Sequence, residues 1–360
     1  MRLQPTGHPL HTRLQTIDVR RTGDGQVIAV ASHLDLRKRG FVPVGADLQN
    51  SGIIHQMGVR AEVDPRERVV IRAEATMPVV AFEPSELTRG ESCRDVAGEL
   101  PGLAGASLAA ETPRRPGLAR MAGVAMGGVR GCSHVLNLSQ HLGAALTNAF
   151  DVAAAAGIDW SSGAARRLFH RSLVFDGSEP EDGTIDIAVQ LSDLHFAAAP
   201  AVCNPMDLFA EQQELRLAAR VDLSRMSLVQ LEIAERCRGR DAIDSASPAT
   251  ASGAESASAW LRRDDRVAGL CGVRFLGGFA GEVLRRFPTP GRDRPMVDAL
   301  LALAPAFLQV CACFSETWPG RVSVADTCVG VGAVPDSCYM WRRDGALHGR
   351  KKPTDPNATL

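Results

Sequence analysis

The chain has 360 residues, 45% hydrophobic and 22% charged, the balance of an ordinary globular protein with length enough to bury one or two cores. Its 40 Lys and Arg nearly match 41 Asp and Glu, so no charge excess directs it to nucleic acid or an anionic membrane. A single tyrosine among 5% aromatics disfavours a base-stacking platform for single strands. The nine cysteines are scattered rather than dense, which points to free thiols in a reducing cytoplasm. The opening "MRLQPTGHPLHTRLQ" has no apolar h-region, so no secretory signal is expected.

In chain order, residues 10–157 read as one α+β unit. A first strand runs into Asp24-Gly25, a strong hairpin signal. "VIAVASHLDL" follows as a second strand, and "QMGVRAEV" and "RVVIRAEA" flank the turn "DPRER" as a third and fourth. The turn "GGVRGCSH" then heads a helix in which Val135, Leu138, Leu142, Ala145, Leu146 and Ala149 fall at helical spacing, with Gly157 ending the run. Four meandering strands need a cover for their apolar face, and this helix supplies it.

Residues 166–315 repeat the pattern. "DGQVIAVASHLDL" from Asp24 and "DGTIDIAVQLSDL" from Asp182 lie 158 positions apart. The same gapless offset relates Arg13 to Arg171, Asp35 to Asp193, Val63-Asp64 to Val221-Asp222, and Glu74 to Glu232. "ELRLAARV" and "SLVQLEIA" surround "DLSRM", and a second helix starts at Pro295, a residue type favoured in the first helical turn. The expected fold is therefore α+β, a tandem duplication forming a pseudo-dimer of antiparallel sheets with helices on one face. The Ser/Ala-rich 244–258 reads as a mobile insertion, 316–347 as a C-terminal extension and 348–360 as a disordered tail. "VDALLALAPAFLQVCACF" is broken by Asp298, Pro305 and Gln309 and reads as a buried helix rather than a membrane span, with Cys311 and Cys313 as core residues.

Chemistry concentrates in Cys132-Ser133-His134. Free N–H groups and the dipole at a helix start favour anions, which lowers a cysteine pKa and favours a reactive, accessible thiolate. His134 supplies an acid, a base or a ligand. A plain helix start, with Ser133 as N-cap, stands beside that reading. His55 in "GIIHQMGVR" is placed where the chain enters the sheet between the second and third strands. Asp35, Glu74, Asp193 and Glu232 could orient a histidine but read first as surface charge.

The sequence "LDLRK", "GIIHQM", "RAEA", "GLAG", "GGVRGCSH" and finally "DSCYMWRRDGAL" resembles a bacterial family of domains of unknown function. That family carries Ile-His-Asp-Met and Gly-Cys-Thr-His-Leu motifs. They fall here on Ile54, His55, Gln56 and Met57, and on Gly131, Cys132, Ser133, His134 and Val135. Gln56 and Val135 depart from the pattern, and a family cysteine after Pro-Tyr has no match near Pro78. The arrangement is also similar to iron–sulfur cluster scaffold proteins, which implies convergence of His55, Cys132 and His134 on one zinc or iron ion, with a middle ligand missing.

The expected function is non-redox chemistry of the lyase, isomerase or cyclase type on a small, largely apolar substrate, with catalytic His55, Cys132 and His134 between the two units. A cysteine/histidine hydrolase and a non-enzymatic metal or iron–sulfur carrier are the alternatives. No Rossmann, P-loop or flavin fingerprint occurs, so neither nicotinamide, flavin nor nucleotide is expected. Cofactors reduce to none or a single zinc or iron ion. The partner is a small molecule, neither nucleic acid nor membrane, and the protein a monomer or homodimer. In the second unit Asp293, Pro295 and Gln213 replace Cys132, His134 and His55, leaving one site per chain.

Overall fold

The computed structural model describes residues 7–39, 42–44, 47–109, 115–180, 183–198, 208–239, 259–275, 278–289, 291–312 and 335–347. The Ser/Ala-rich 244–258, the tail 348–360, Asp182, Cys313 and most of the C-terminal extension lie outside the described residues.

The strands follow from period-two burial. In β1 (His8–Arg21) the residues from His11 to Val19 alternate buried and half-buried, as a sheet with one covered face requires. β2 (Val27–Arg37), β5 (Gly52–Asp64) and β6 (Val69–Val79) complete a meander, with a small hairpin of β3 (Val42–Val44) and β4 (Asp47–Gln49) inserted. β7 (Arg166–Glu179), β8 (Thr184–Phe196), β9 (Phe209–Asp222) and β10 (Ser227–Gly239) form the second meander, and the two-residue β11 (Leu261–Arg262) edges it. Antiparallel pairing of β1 with β7 joins both into one nine-stranded sheet, ordered β11-β10-β9-β8-β7-β1-β2-β5-β6.

The two meanders share their registers at the 158-residue offset. Arg13 pairs with Asp35, and Arg171 with Asp193. Asp35 pairs with His55, and Asp193 with Gln213. Even the irregularities coincide: β6 skips Ile71 in its ladder and β10 skips Val229, each leaving that side chain exposed. Gly25 and Gly183 both sit at positive φ in the first hairpin turn, and Arg68 and Met226 do so in the second, at 52° and 51°. The Asp64 and Asp222 carboxylates cap those second turns in the same way, accepting from the N–H groups two and three residues on.

One face of the sheet is covered. α1 (Leu118–Met126) packs on α2 (Ser133–Ala155), and α2 lays Leu138, Leu142, Ala145 and Leu146 onto Ile17, Val59 and Ala61. Each fully buried leucine there contributes about 2 kcal/mol. The second core gathers Leu173, Phe175, Ile187 and Leu217 under α3 (Asp264–Val267), α4 (Phe279–Arg286) and α5 (Arg294–Ala312). α5 approaches β7 so closely that a β carbon on Gly177 would stand 2.4 Å from Val310. Its Arg294–Cys311 stretch is long and apolar enough to cross a membrane, but 67% of it is buried within this fold, as a core helix is. Near the C-terminus, Met340 and Leu347 return to the first core.

Candidate active site

The alternation that fills the first core changes character at one end of the sheet. On the covered face, β1 runs Val19, Ile17, then Gln15, Arg13, His11, while β2 runs Ala29, Ala31, then His33, Asp35, Arg37. β5 adds His55 directly opposite Asp35, inside the strand rather than at its entry. Five of these side chains, His11, Arg13, Gln15, His33 and His55, converge on or beside the Asp35 carboxylate. Asp35 is 0% exposed. Arg13 donates from Nε to Oδ1 at 2.8 Å and from Nη2 to Oδ2 at 3.0 Å, a bidentate pair. His11 Nε2 lies 2.9 Å from Oδ1, while His33 Nε2 at 2.8 Å and His55 Nδ1 at 3.1 Å face Oδ2. The Gln15 amide bonds His33 Nδ1 at 3.0 Å and Asn137 Oδ1 at 2.9 Å, tying the strands to α2.

The head of α2 sits over this cluster because the preceding turn is built from glycines. A β carbon on Gly131 would fall 2.1 Å from the Met126 carbonyl oxygen. Cys132, rather than Ser133, is the N-cap. His134 drops from the first turn onto the carboxylate, with Nε2 3.5 Å from Asp35 Oδ2. Its ring lies 3.9 Å, centre to centre, from His55 at a 33° tilt and 5.4 Å from His33. The Gln309 amide of α5 meets His134 Nε2 at 3.0 Å, and Cys132 Sγ lies 3.9 Å from His134 Nδ1. The structure thus brings His55, Cys132 and His134 together, from two strands' separation in sequence.

Burial sets the electrostatics. Burial raises the Asp35 pKa, but the Arg13 guanidinium and the surrounding histidines outweigh it and hold the carboxyl well below its usual range. Burial lowers His33 to about 4 and His134 well below 6.5, and it also lowers His11. At neutral pH His11, His33 and His134 are therefore neutral imidazoles around the Arg13–Asp35 ion pair.

Two expectations are corrected here. The Cys132 thiol is 6% exposed, and burial pushes its pKa up to about 12. The N–H groups of His134 and Val135 lean the other way, but desolvation of a thiolate costs more than a helix start returns. Asp35 and Asp193 are fully buried and Glu232 nearly so, rather than surface charges; Glu74 alone is half exposed. Asp35 is the centre of the site. Strand register was the signal, since the 13–35 and 35–55 pairings put every member on one face.

Two thiols to which the sequence reading assigned no role, Cys93 beyond Pro78 and Cys338 in "DSCYMW", also come to the site. Cys93 opens the 3₁₀ helix Cys93–Leu103, and Cys338 caps the 3₁₀ turn Tyr339–Trp341. The Tyr339 N–H donates to the Gly131 carbonyl at 2.8 Å, which sets Cys338 beside Cys132, and the three thiols disfavour one another's ionisation. Beside these helix starts opens a cleft of about 920 Å³. Its walls pair Val96, Met121 and Val129 with Arg120, Arg130 and Arg342.

The second meander keeps the ion pair and loses the imidazoles bonded to it; its buried His195, two residues beyond Asp193, has neither ring nitrogen hydrogen-bonded. Arg171 donates to both Asp193 oxygens at 2.7 and 2.6 Å and to Asp298 of α5 at 2.6 Å. At the 158-residue offset His11, His33 and His55 become Phe169, Leu191 and Gln213.

Residues 11–148 match a family described as Protein of unknown function (DUF2889), so the resemblance to a domain-of-unknown-function family holds over the stretch that carries the cluster. No curated protein and no solved structure matches the chain.

Proposed function

We propose that the protein is a non-redox enzyme of the lyase, isomerase or cyclase type, working by proton transfer at Cys132, His55 and His134 around Asp35. The observation that carries this is the asymmetry of two equivalent ion pairs. Arg13–Asp35 and Arg171–Asp193 occupy the same register, but only Asp35 has gathered histidines and a thiol. An ion pair for structure alone needs none of them.

The roles follow from which atoms are engaged. His55 turns Nδ1 to Asp35, so that nitrogen carries the proton and Nε2 keeps the basic lone pair, the orientation a carboxylate imposes on a general base. Cys132 is a neutral thiol and serves as acid rather than nucleophile. That favours proton transfer over the cysteine hydrolase alternative, which needs a thiolate. The cleft beside the head of α2 carries apolar side chains, three arginines and Asp95 but none of His55, Cys132 or His134; it suits a small substrate with an apolar body and an anionic end that extends from the cleft to the buried thiol. The free thiols support a reducing, cytoplasmic setting, and the substrate stands as the only partner of a monomer or homodimer. The shared registers and bulges support a tandem duplication in which the second unit kept the fold and lost the site.

Proton transfer leaves a signature in heavy water. Purified protein incubated with small-molecule pools in D₂O should incorporate deuterium into, or deplete, a defined compound, read by mass spectrometry. Cys132→Ser should lose this by about 100-fold or more, and Asp293→Ala, at the equivalent helix start, should retain it. Exchange that survives Cys132→Ser intact would remove the thiol from the mechanism.

A further inference from the structure

We infer that His33 Nε2, Asp35 Oδ2 and His134 Nε2 form a binding site for one divalent first-row transition ion. This rests on the proposed reading of the site and assigns it a cofactor. The three atoms lie within 4.8 Å of one another. His33 stands 2.8 Å and His134 3.5 Å from the shared oxygen. Two ligands bonded to one ion at about 2.1 Å are separated by roughly 3.0 Å at a right angle and 3.4 Å at the tetrahedral angle. The observed spacings bracket those edges.

Hydrogen bonding alone does not account for the cluster. Asp35 Oδ2 is approached by Arg13 Nη2, His33, His55 and His134, four nitrogens around an oxygen with two lone pairs. The Gln309 amide nitrogen lies 3.0 Å from His134 Nε2, a contact that an ion on that nitrogen's single lone pair displaces, and Cys132 Sγ lies 3.9 Å from Nδ1. Gln15 gives a second sign: its Oε1 is buried without a partner while its amide faces His33 Nδ1. Exchanging oxygen and nitrogen in the amides of both Gln15 and Asn137, which only the network assigns, sets Gln15 Oε1 between a His33 Nδ1–H and the Asn137 amide N–H and frees His33 Nε2 as a ligand. Metal-bound histidines are held by such outer partners.

Two imidazoles and one carboxylate suit zinc or iron and leave positions open, as catalytic sites do. Arg13 offsets the Asp35 charge, so the affinity is lower than that of a closed thiolate site. His55 meets the same Asp35 oxygen through Nδ1 and keeps its Nε2 lone pair for substrate. In the second meander Leu191 and Pro295 replace the two histidine ligands, so that half binds no ion at this place.

Chelator-stripped protein titrated with Co²⁺ should develop visible d–d absorption saturating at one equivalent per chain, and Zn²⁺ should displace it. His33→Gln and His134→Gln should each weaken binding at least tenfold while melting as cooperatively as the parent, and Asp293→Ala should bind unchanged. Absence of a saturable band in the parent, or a band surviving both histidine variants, would overturn the site. The two readings fail separately. Deuterium exchange that persists in stripped protein removes the metal and leaves the acid–base site, whereas Co²⁺ uptake without any exchange does the reverse.

Discussion

At the residue scale, burial decides more than residue type. A cysteine at a helix start is expected to be ionised and reactive, but Cys132 is buried in the first core beside the Cys338 thiol, and stays protonated. Thiol labelling at neutral pH should therefore modify the exposed Cys237 and Cys271 well before Cys132 or Cys93; rapid labelling of Cys132 would show that its burial is breached in solution. His141 gives a pH prediction. It lies two turns beyond His134 with Nδ1 unpartnered, and burial holds it at about 4, with Asp298 raising it and Arg171, Arg13 and His33 opposing protonation. The unfolded chain takes up a proton near pH 6.5, the folded chain only near 4, so stability is full above that window and is lost as pH falls through it. The loss reaches about 3 kcal/mol by pH 4. His141→Leu should reduce the slope of this limb of a denaturant-midpoint profile by about one proton, leaving the share contributed by His33 and His134, and an unchanged slope would place the acid sensitivity elsewhere. From sequence, His55, Cys132 and His134 were legible because each sits in a short motif at a turn or helix start. His11, His33 and Asp35 were not, because a polar residue within a strand looks the same whichever face it takes until the register is known.

At the element scale, the glycines before α2 set the geometry of the site. Gly131→Ala must push its new methyl group away from the Met126 carbonyl, shifting the turn that carries Cys132. An overpacked turn of this kind costs about 1–3 kcal/mol, and the same shift should reduce catalysis more than tenfold. Gly23→Ala, at a turn with nothing within 4 Å and no positive φ, is the control and should do neither. Equal melting temperatures for both variants would mean that the turn accommodates a β carbon. The hairpins and α2 were readable from Asp-Gly turns and helical periodicity. The 3₁₀ helix Cys93–Leu103, α1 and the β3–β4 hairpin were not, being short and lacking an apolar period long enough to register.

At the scale of the whole molecule, the β1–β7 junction joins the two meanders into one sheet, with pairing from His8–Glu179 to Arg21–Arg166. Two cores under one uninterrupted sheet should unfold together. Hydrogen exchange should find β1 and β7 amides opening with one global free energy, and separate unfolding of 8–157 from 166–312 would mean the junction is weaker than its ladder. The offset of 158 residues was visible in the sequence because turns and strand ends kept their identities, whereas the bulges at Ile71 and Val229 needed coordinates. The most direct measurement follows from the asymmetry between the halves. His55→Gln and His134→Gln should each cut the deuterium-exchange rate by about 100-fold or more, with melting temperatures within a few degrees of the parent. If exchange instead persists in both variants, or falls only in proportion to lost stability, the histidines around Asp35 are packing for a buried ion pair and not an active site.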